Sequence, residues 1–411
     1  MIGAVARLGD KAVPRLVAIC QSEKQWDAAV EGKMYSVFNR LGDKAAGAIE
    51  PLSRLAGDEA EPSARRFRAI RALGAIGPSA ILQFVETGAH FPTGTAQIDN
   101  AGASFATVEL MRTIAELRGR AVSAGSFVAA IAGSEDWEAR LAATRTIGRI
   151  SYSDASDALL KLLKSPDDWR LVYGAAESLG MLKHNEAVSP LAEVSKAHWY
   201  PPVREVARHA IETIQNDGAN QEEERLAPGE RGFPDLERIG RDMETVLEEE
   251  AEKVRFAVLP PAPDLPVKIK ADATAVQTEQ RRAVAVDGGY LVARDYGEFG
   301  GDISFVDADG NSHVVVEENT HEIYKMPSGI FAVSGLAHMG YNSGFIYKIE
   351  KAGEQRWTGT KWRALPGAPR FSRVLKDGRL FVSCFDGIVL VTTDGEMKSV
   401  TRSECLRGSA P

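Results

Sequence analysis

DWEARLAATRTIGRI (136–150), DDWRLVYGAAESLGML (167–182) and PPVREVARHAIETI (201–214) repeat one phrase at an interval of 32 residues. Ala143, Ala175 and Ala207 share that spacing, as do Ile147, Leu179 and Ile211. A small residue four places before a large aliphatic one puts both on one helix face and lets a neighbouring backbone approach over the alanine. The first two units each add a shorter apolar stripe, Ala155, Leu159, Leu162 and Leu163 in one and Ala187, Leu191 and Val194 in the next. Such a hairpin cannot bury its own stripe, so stacking on its neighbour supplies the core and predicts a helical solenoid. Trp137 and Trp169 recur in register, which points to packing at the start of each unit rather than to a ligand platform.

The same phrasing continues upstream. Leu8-Gly9-Asp10-Lys11-Ala12 returns as Leu41-Gly42-Asp43-Lys44-Ala45 and, more loosely, as Ile76-Gly77-Pro78-Ser79-Ala80. In each, a glycine closes a helix and a short polar turn opens the next, the elbow of a helical hairpin. Gly74 matches Gly148 and Gly180, and Ala69 stands four residues before Leu73. The first elbow lies so near residue 1 that the first unit is expected to be an incomplete cap. Residues 89–104, AHFPTGTAQIDNAGAS, carry neither helical nor strand period and interrupt the array. Insertions in a solenoid emerge as edge loops, so His90 and Phe91 are candidate partner contacts. The array is expected to resume at Phe105.

The pattern of small residue, Leu or Ile before Gly, polar elbow and Ala-rich second helix resembles HEAT repeats, especially the short bacterial kind, over residues 1–217. The resemblance implies an extended curved surface that binds another macromolecule. It supplies no catalytic or ligand signature.

From Asn216 the pattern breaks. Residues 222–253 hold 12 acidic side chains against 5 basic ones and so carry most of the formal net charge of -8. Leu236, Ile239, Met243 and Leu247 recur at helical spacing, predicting one amphipathic helix docked on the end of the solenoid. The Pro-rich residues 259–266 read as a stiff hinge, and 218–275 as a whole as a linker.

After about Val276 the period becomes that of strands. AVAVDGGYLVA, IYKMPSGIFAV and SRVLKDGRLFV each place two strands about a glycine turn at Gly289, Gly329 and Gly378, and a further strand pair follows each. Four short antiparallel strands per unit resemble propeller blades. Three units fit between residues 280 and 403, which predicts a compact or incomplete propeller-like domain over 276–403 and a tail over 404–411. The expected fold is therefore multidomain, an N-terminal HEAT-like α-solenoid followed by an all-β domain.

Arg294-Asp295-Tyr296-Gly297-Glu298-Phe299-Gly300-Gly301-Asp302 is the richest local cluster in the β half. Equivalent strand ends of rotationally related units share one face, where Arg294, Asp295, Glu298, His338 and Arg370 are candidate ligand-binding groups. Asp295 or Glu298 with His338 is the candidate catalytic set, because a carboxylate and an imidazole can divide acid and base roles. Interblade hydrogen bonding is the competing structural reading of the same residues. Asp307-Ala308-Asp309-Gly310-Asn311 lacks the later ligands of a calcium loop and reads as a hairpin turn. His313 and His321 lie outside any HExxH pattern, and no Walker, dinucleotide or nucleophile-elbow motif is present, so no metal and no cofactor is expected.

Net acidity opposes general nucleic-acid binding and binding to anionic membranes. No run of 18 apolar residues is present. Cys20, Cys384 and Cys405 have no metal-like spacing and suit a reducing, cytoplasmic setting. Two repeat architectures without a catalytic set lead to the expectation of a non-catalytic protein–protein interaction scaffold or adaptor. The alternative is a small-ligand-binding or hydrolytic site built from the β-domain loops.

Overall fold

The computed structural model describes residues 9–22, 28–58, 60–86, 102–134, 136–165, 168–216, 283–338, 341–353, 356–375 and 377–400. The expected contact loop at His90 and Phe91, the amphipathic helix through Leu236, Ile239, Met243 and Leu247, the hinge at 259–266 and Cys405 lie outside them. The chain divides into two compact units, one helical and one built on the strands.

In the helical unit the described residues form α1 (Val13–Gln21), α2 (Ala28–Leu41), α3 (Ile49–Gly57), α4 (Ser63–Ile76), α5 (Pro78–Glu86) and α6 (Gly102–Glu116). They continue as α7 (Gly125–Ala132), α8 (Trp137–Arg149), α9 (Ser156–Leu162), α10 (Trp169–Met181), α11 (Val188–Ala197) and α12 (Pro201–Gln215). Even-numbered helices are the longer, first members of each hairpin, and they stack on one another. Helix α6 starts at Gly102, so the last residues of the expected insertion are already helical.

The repeated alanines are the floor of the stack. Ala69, Ala143, Ala175 and Ala207 are fully buried, as are Leu73 and Leu179. Each large aliphatic side chain taken from water contributes about 1.5–3 kcal/mol. Glycines set the closest approaches: a Cβ on Gly148 would lie 2.6 Å from Ser178 Cα, and one on Gly180 would lie 3.0 Å from Ala210 Cα. Across the Gly148 seam Ser178 Oγ donates to Thr144 O at 2.7 Å, and across the preceding one, between α8 and α6, Thr146 Oγ1 donates to Met111 O at 3.1 Å. At the start of α8, Asp136 caps the helix by accepting from the Glu138 and Ala139 amides.

Ion pairs join consecutive first helices. Arg68 meets Glu31 at 2.9 Å, Arg71 meets Glu109 at 3.3 Å, and Arg145 grips both oxygens of Glu177 at 2.7 and 3.1 Å. Burial pushes the Glu109 carboxyl up, against the pull of Arg71 and Arg112. Arg68 also donates to Ile19 O, Cys20 O and Ser22 O, closing the carbonyl end of α1, while Arg66 does the same for α3 through Ala56 O. At the elbows the left-handed backbone falls on Gly42, Gly77, Arg118, Ser151 and Lys183.

Among its described residues the strand unit holds three four-stranded antiparallel sheets, with strand orders β1-β2-β3-β4, β5-β6-β7-β8 and β12-β11-β10-β9. They comprise β1 (Ala283–Val286), β2 (Gly289–Asp295), β3 (Gly301–Asp307) and β4 (Ser312–Val316), then β5 (Thr320–Met326), β6 (Gly329–His338), β7 (Tyr341–Lys351) and β8 (Trp357–Leu365). The third sheet has β9 (Pro369–Val374), β10 (Leu380–Cys384), β11 (Gly387–Val391) and β12 (Met397–Val400). Three sheets of four strands are what the strand periodicity predicts. In the first hairpin the left-handed residue is Gly288, whereas Gly289 is required because a Cβ there would lie 2.1 Å from Val306 O.

One apolar core, including Tyr324, Phe331, Val333, Ile346, Leu365, Val382 and Val389, spans the second and third sheets. Polar links reinforce it, with the Tyr324 and Ser372 hydroxyls 2.9 Å apart and Arg363 Nε donating to Gly395 O at 2.7 Å. The first sheet joins the second through Lys325 Nζ to Ala285 O and Lys351 to Asp287. Trp169, the first residue of α10, and His198–Pro202, which include the first two residues of α12, belong to this compact unit rather than to the helical one. The Trp169 indole N–H donates to Leu365 O at 3.0 Å, the Tyr200 hydroxyl to Asp386 O at 3.3 Å, and Trp199 packs on the shared core. Trp169 therefore packs, as its register suggests, but against a strand end.

Hairpin turns are tied by aspartates. Asp307 accepts from the amides of Asp309 and Asn311 and from Asn311 Nδ2, which holds its carboxyl below the usual range and accounts for the Asp-rich turn without a cation. Asp377 is held down likewise by Arg379.

Two outcomes test this packing. Gly148→Ala is expected to destabilise the protein by about 1–3 kcal/mol in denaturant unfolding, because backbone and side chain of Ser178 must both move. Gly32→Ala, with nothing within 4 Å of the new Cβ, is expected to stabilise it by roughly 0.5–1 kcal/mol. Burial raises the Cys20 thiol to about 12 and the Cys384 thiol well above its ordinary value. In a Cys405→Ser variant a thiol reagent at neutral pH should therefore modify neither until the chain is unfolded, and both afterwards.

Candidate functional site

The loop between β2 and β3 is built by backbone conformation and two side chains. Gly297 and Gly300 take φ of 61° and 91°, a left-handed region that disfavours residues with a Cβ. Between them runs a single 3-10 turn, Gly297–Phe299, closed by Tyr296 N donating to Gly300 O at 2.9 Å and Gly300 N to Gly297 O at 3.1 Å. Asp295 Oδ1 accepts from Gly297 N at 3.0 Å, an Asx turn.

Asn319, just before β5, fixes the loop from the second sheet. Its Oδ1 accepts from Tyr296 N at 3.2 Å, its Nδ2 donates to Gly297 O at 2.7 Å, and its own carbonyl accepts from Gly335 N at 2.8 Å. The residue is 4% exposed. A Cβ on Gly301 would lie 2.5 Å from Asn319 Oδ1, so the glycine makes room for the amide.

Around this anchor stand two imidazole–carboxylate pairs. His338 Nε2 lies 3.0 Å from Glu298 Oε2, and His321 Nε2 lies 3.4 Å from Asp295 Oδ2. Both pairs join the first sheet's loop to the second sheet. Glu298 and His338, 40 residues apart in sequence, are thus brought into contact, whereas the histidine beside Asp295 is His321. Arg294 points to Asp302, with Nη1 3.0 and 3.1 Å from the two carboxylate oxygens and 3.2 Å from Ser304 Oγ. Arg370 lies over the Phe385 ring, 4.9 Å from its centroid.

A second asparagine repeats the anchoring role between the second and third sheets. Asn342 Oδ1 accepts from Ala368 N at 2.7 Å and its Nδ2 donates to Asp386 Oδ2 at 2.8 Å, beside Gly367 with φ of 106°. Neither Asn319 nor Asn342 stands in a recognisable motif. The available signal is an isolated asparagine close to a strand end and to a glycine loop on the next unit.

Chemically, each imidazole–carboxylate pair can hold and pass one proton. Among the described residues no group of three or more His, Cys, Asp or Glu is arranged to hold a metal ion. Nor, among them, is any helix long and apolar enough to cross a membrane.

A family model for HEAT repeats matches residues 126–212, the span that includes α8 to α11 and most of α12. Comparison with curated proteins finds no match to the chain.

Replacing Asn319 by Ala removes two half-buried hydrogen bonds to the loop backbone and is expected to cost about 1–3 kcal/mol. Hydrogen exchange should accelerate at the amides of Tyr296 and Gly297 in that variant, while the turn at Asp307–Asn311 keeps its wild-type rate.

Proposed function

We propose that the protein is a non-catalytic protein–protein interaction scaffold or adaptor of the cytoplasm, with residues 1–217 as an elongated recognition surface and 276–403 as a second one. The observation that carries this reading is the run of stacked hairpins whose first helices are joined by ion pairs. Arg68–Glu31, Arg71–Glu109 and Arg145–Glu177 hold first helices together, which leaves the outer faces of the hairpins free of folding duties. Stacked helical repeats bind through shape and distributed contacts over such faces. The acidic segment 222–253 adds solubility and an aversion to polyanions. The loop with His90 and Phe91 is a further contact on this reading.

One observation favours a second reading. The Glu298–His338 pair, at 3.0 Å and partly exposed, is suited to proton transfer in hydrolysis or to holding a small polar ligand, with Asp295, Arg294 and Arg370 as further candidates in the strand unit.

Chemical crosslinking of the full chain in native extract, followed by mass spectrometry and reconstitution with each recovered protein, separates the two. The scaffold reading expects a stoichiometric complex that survives His338→Ala. A chain that stays monomeric with no reconstitutable partner, yet turns over an ester or phosphoester panel in a His338-dependent way, would overturn it.

A further inference from the structure

Phe299 is 85% exposed and Tyr296, three residues before it, 43% exposed. Single apolar residues on a surface need no explanation. Here two aromatics share one seven-residue loop whose backbone is fixed by Asp295, Asn319 and two left-handed glycines. That loop holds both rings in water without using Phe299 in any core. A loop backbone fixed before contact needs no ordering on binding, which leaves only the rotamer freedom of the two rings to be lost.

The charge around the rings says what they fit. Glu298 lies between them in sequence, and residues 294–302 carry three carboxylates against one guanidinium, which is itself engaged by Asp302. Only Oε2 of Glu298 meets His338; among the described residues Oε1 has no hydrogen-bond partner, and the side chain is 47% exposed. An aromatic face beside a carboxylate is complementary to a planar cation. The ring quadrupole attracts the cation, the carboxylate accepts its N–H groups, and a guanidinium satisfies both better than an ammonium because it is flat and weakly hydrated.

We propose that the 295–301 loop is a recognition point for an arginine side chain of a protein partner, with Phe299 and Tyr296 as the stacking surface and Glu298 as the acceptor. This rests on the interaction-scaffold reading and names the chemistry of its partner.

The test uses the full chain and two fluorescent peptides, one of alternating arginine and glycine and one in which citrulline replaces every arginine. Citrulline keeps the shape and removes the charge. The arginine peptide is expected to bind roughly tenfold or more tightly than its counterpart, and Phe299→Ala to weaken it roughly five- to tenfold. Phe299→Trp should keep the affinity and Glu298→Gln should lower it, with unchanged melting temperatures for the two Phe299 variants, which touch no contact between sheets. Phe299→Ala conserves charge, so attraction by the acidic residues 222–253 alone would leave its affinity at the wild-type value. That result, or equal binding of the two peptides, or no measurable binding, overturns the proposal. If a partner found by crosslinking still binds the Phe299→Ala and Glu298→Gln chains as it binds wild type, the scaffold reading stands and this inference falls.

Discussion

The helical unit depends on how near one first helix can come to the next. Gly148 lets the Ser178 backbone approach, and Gly180 lets Ala210 approach, at positions one repeat apart. Gly74 does the same for Thr113, whose Cγ2 occupies the space a Cβ would need. Helices that approach over a missing side chain bring their hydroxyls within reach of neighbouring carbonyls, as Ser178 and Thr146 do. They also bring Arg145 and Glu177 into a two-point grip. The cost of burying such a pair is met only when geometry is good, and removing one partner of it would typically cost about 3–5 kcal/mol. Close approach thus comes first, and the polar seam is its consequence.

In the strand unit the corresponding constraint is the joining of sheets that are each complete as hydrogen-bonded ladders. Apolar burial does this between the second and third sheets, where Tyr324, Val382 and Val389 share a core. Between the first and second sheets the work is more polar. Asn319 bonds to loop backbone in one sheet and strand backbone in the other, and the two histidines pair with carboxylates across the same boundary. Asparagine is suited to this because one short side chain offers both a donor and an acceptor.

What could be read from sequence follows from how each feature is encoded. Repeats of buried Ala and Leu impose a period, so the stacked helices and the three groups of four strands are legible. Elbows are legible where glycine marks a positive φ, at Gly42 and Gly77; Arg118, Ser151 and Lys183 also take positive φ, close to that of Gly42, with a Cβ and leave no mark. The loop at Asp295–Gly301 is visible through its glycines. Its anchor is not, because Asn319 acts through backbone groups, which carry no sequence signature. Equivalent strand ends point to a carboxylate beside His338; that it is Glu298, and that Asp295 pairs with His321 instead, depends on side-chain placement that periodicity does not specify.

This division of labour bears on function. In a loop stabilised by its own apolar side chains, exposing an aromatic ring would weaken the loop itself. The 295–301 loop avoids the conflict because glycine conformations, an Asx turn and the Asn319 amide fix its backbone, so its aromatic side chains contribute little to its shape. Phe299 and Tyr296 are then free to face water on a rigid support. On the proposed adaptor reading, a surface of that kind would meet a partner with little reordering, while the first helices, locked by glycine contacts and internal ion pairs, supply stiffness. Rigidity supplied by backbone and buried polar contacts, with side chains released for contact, is the physical property an adaptor requires from both kinds of repeat.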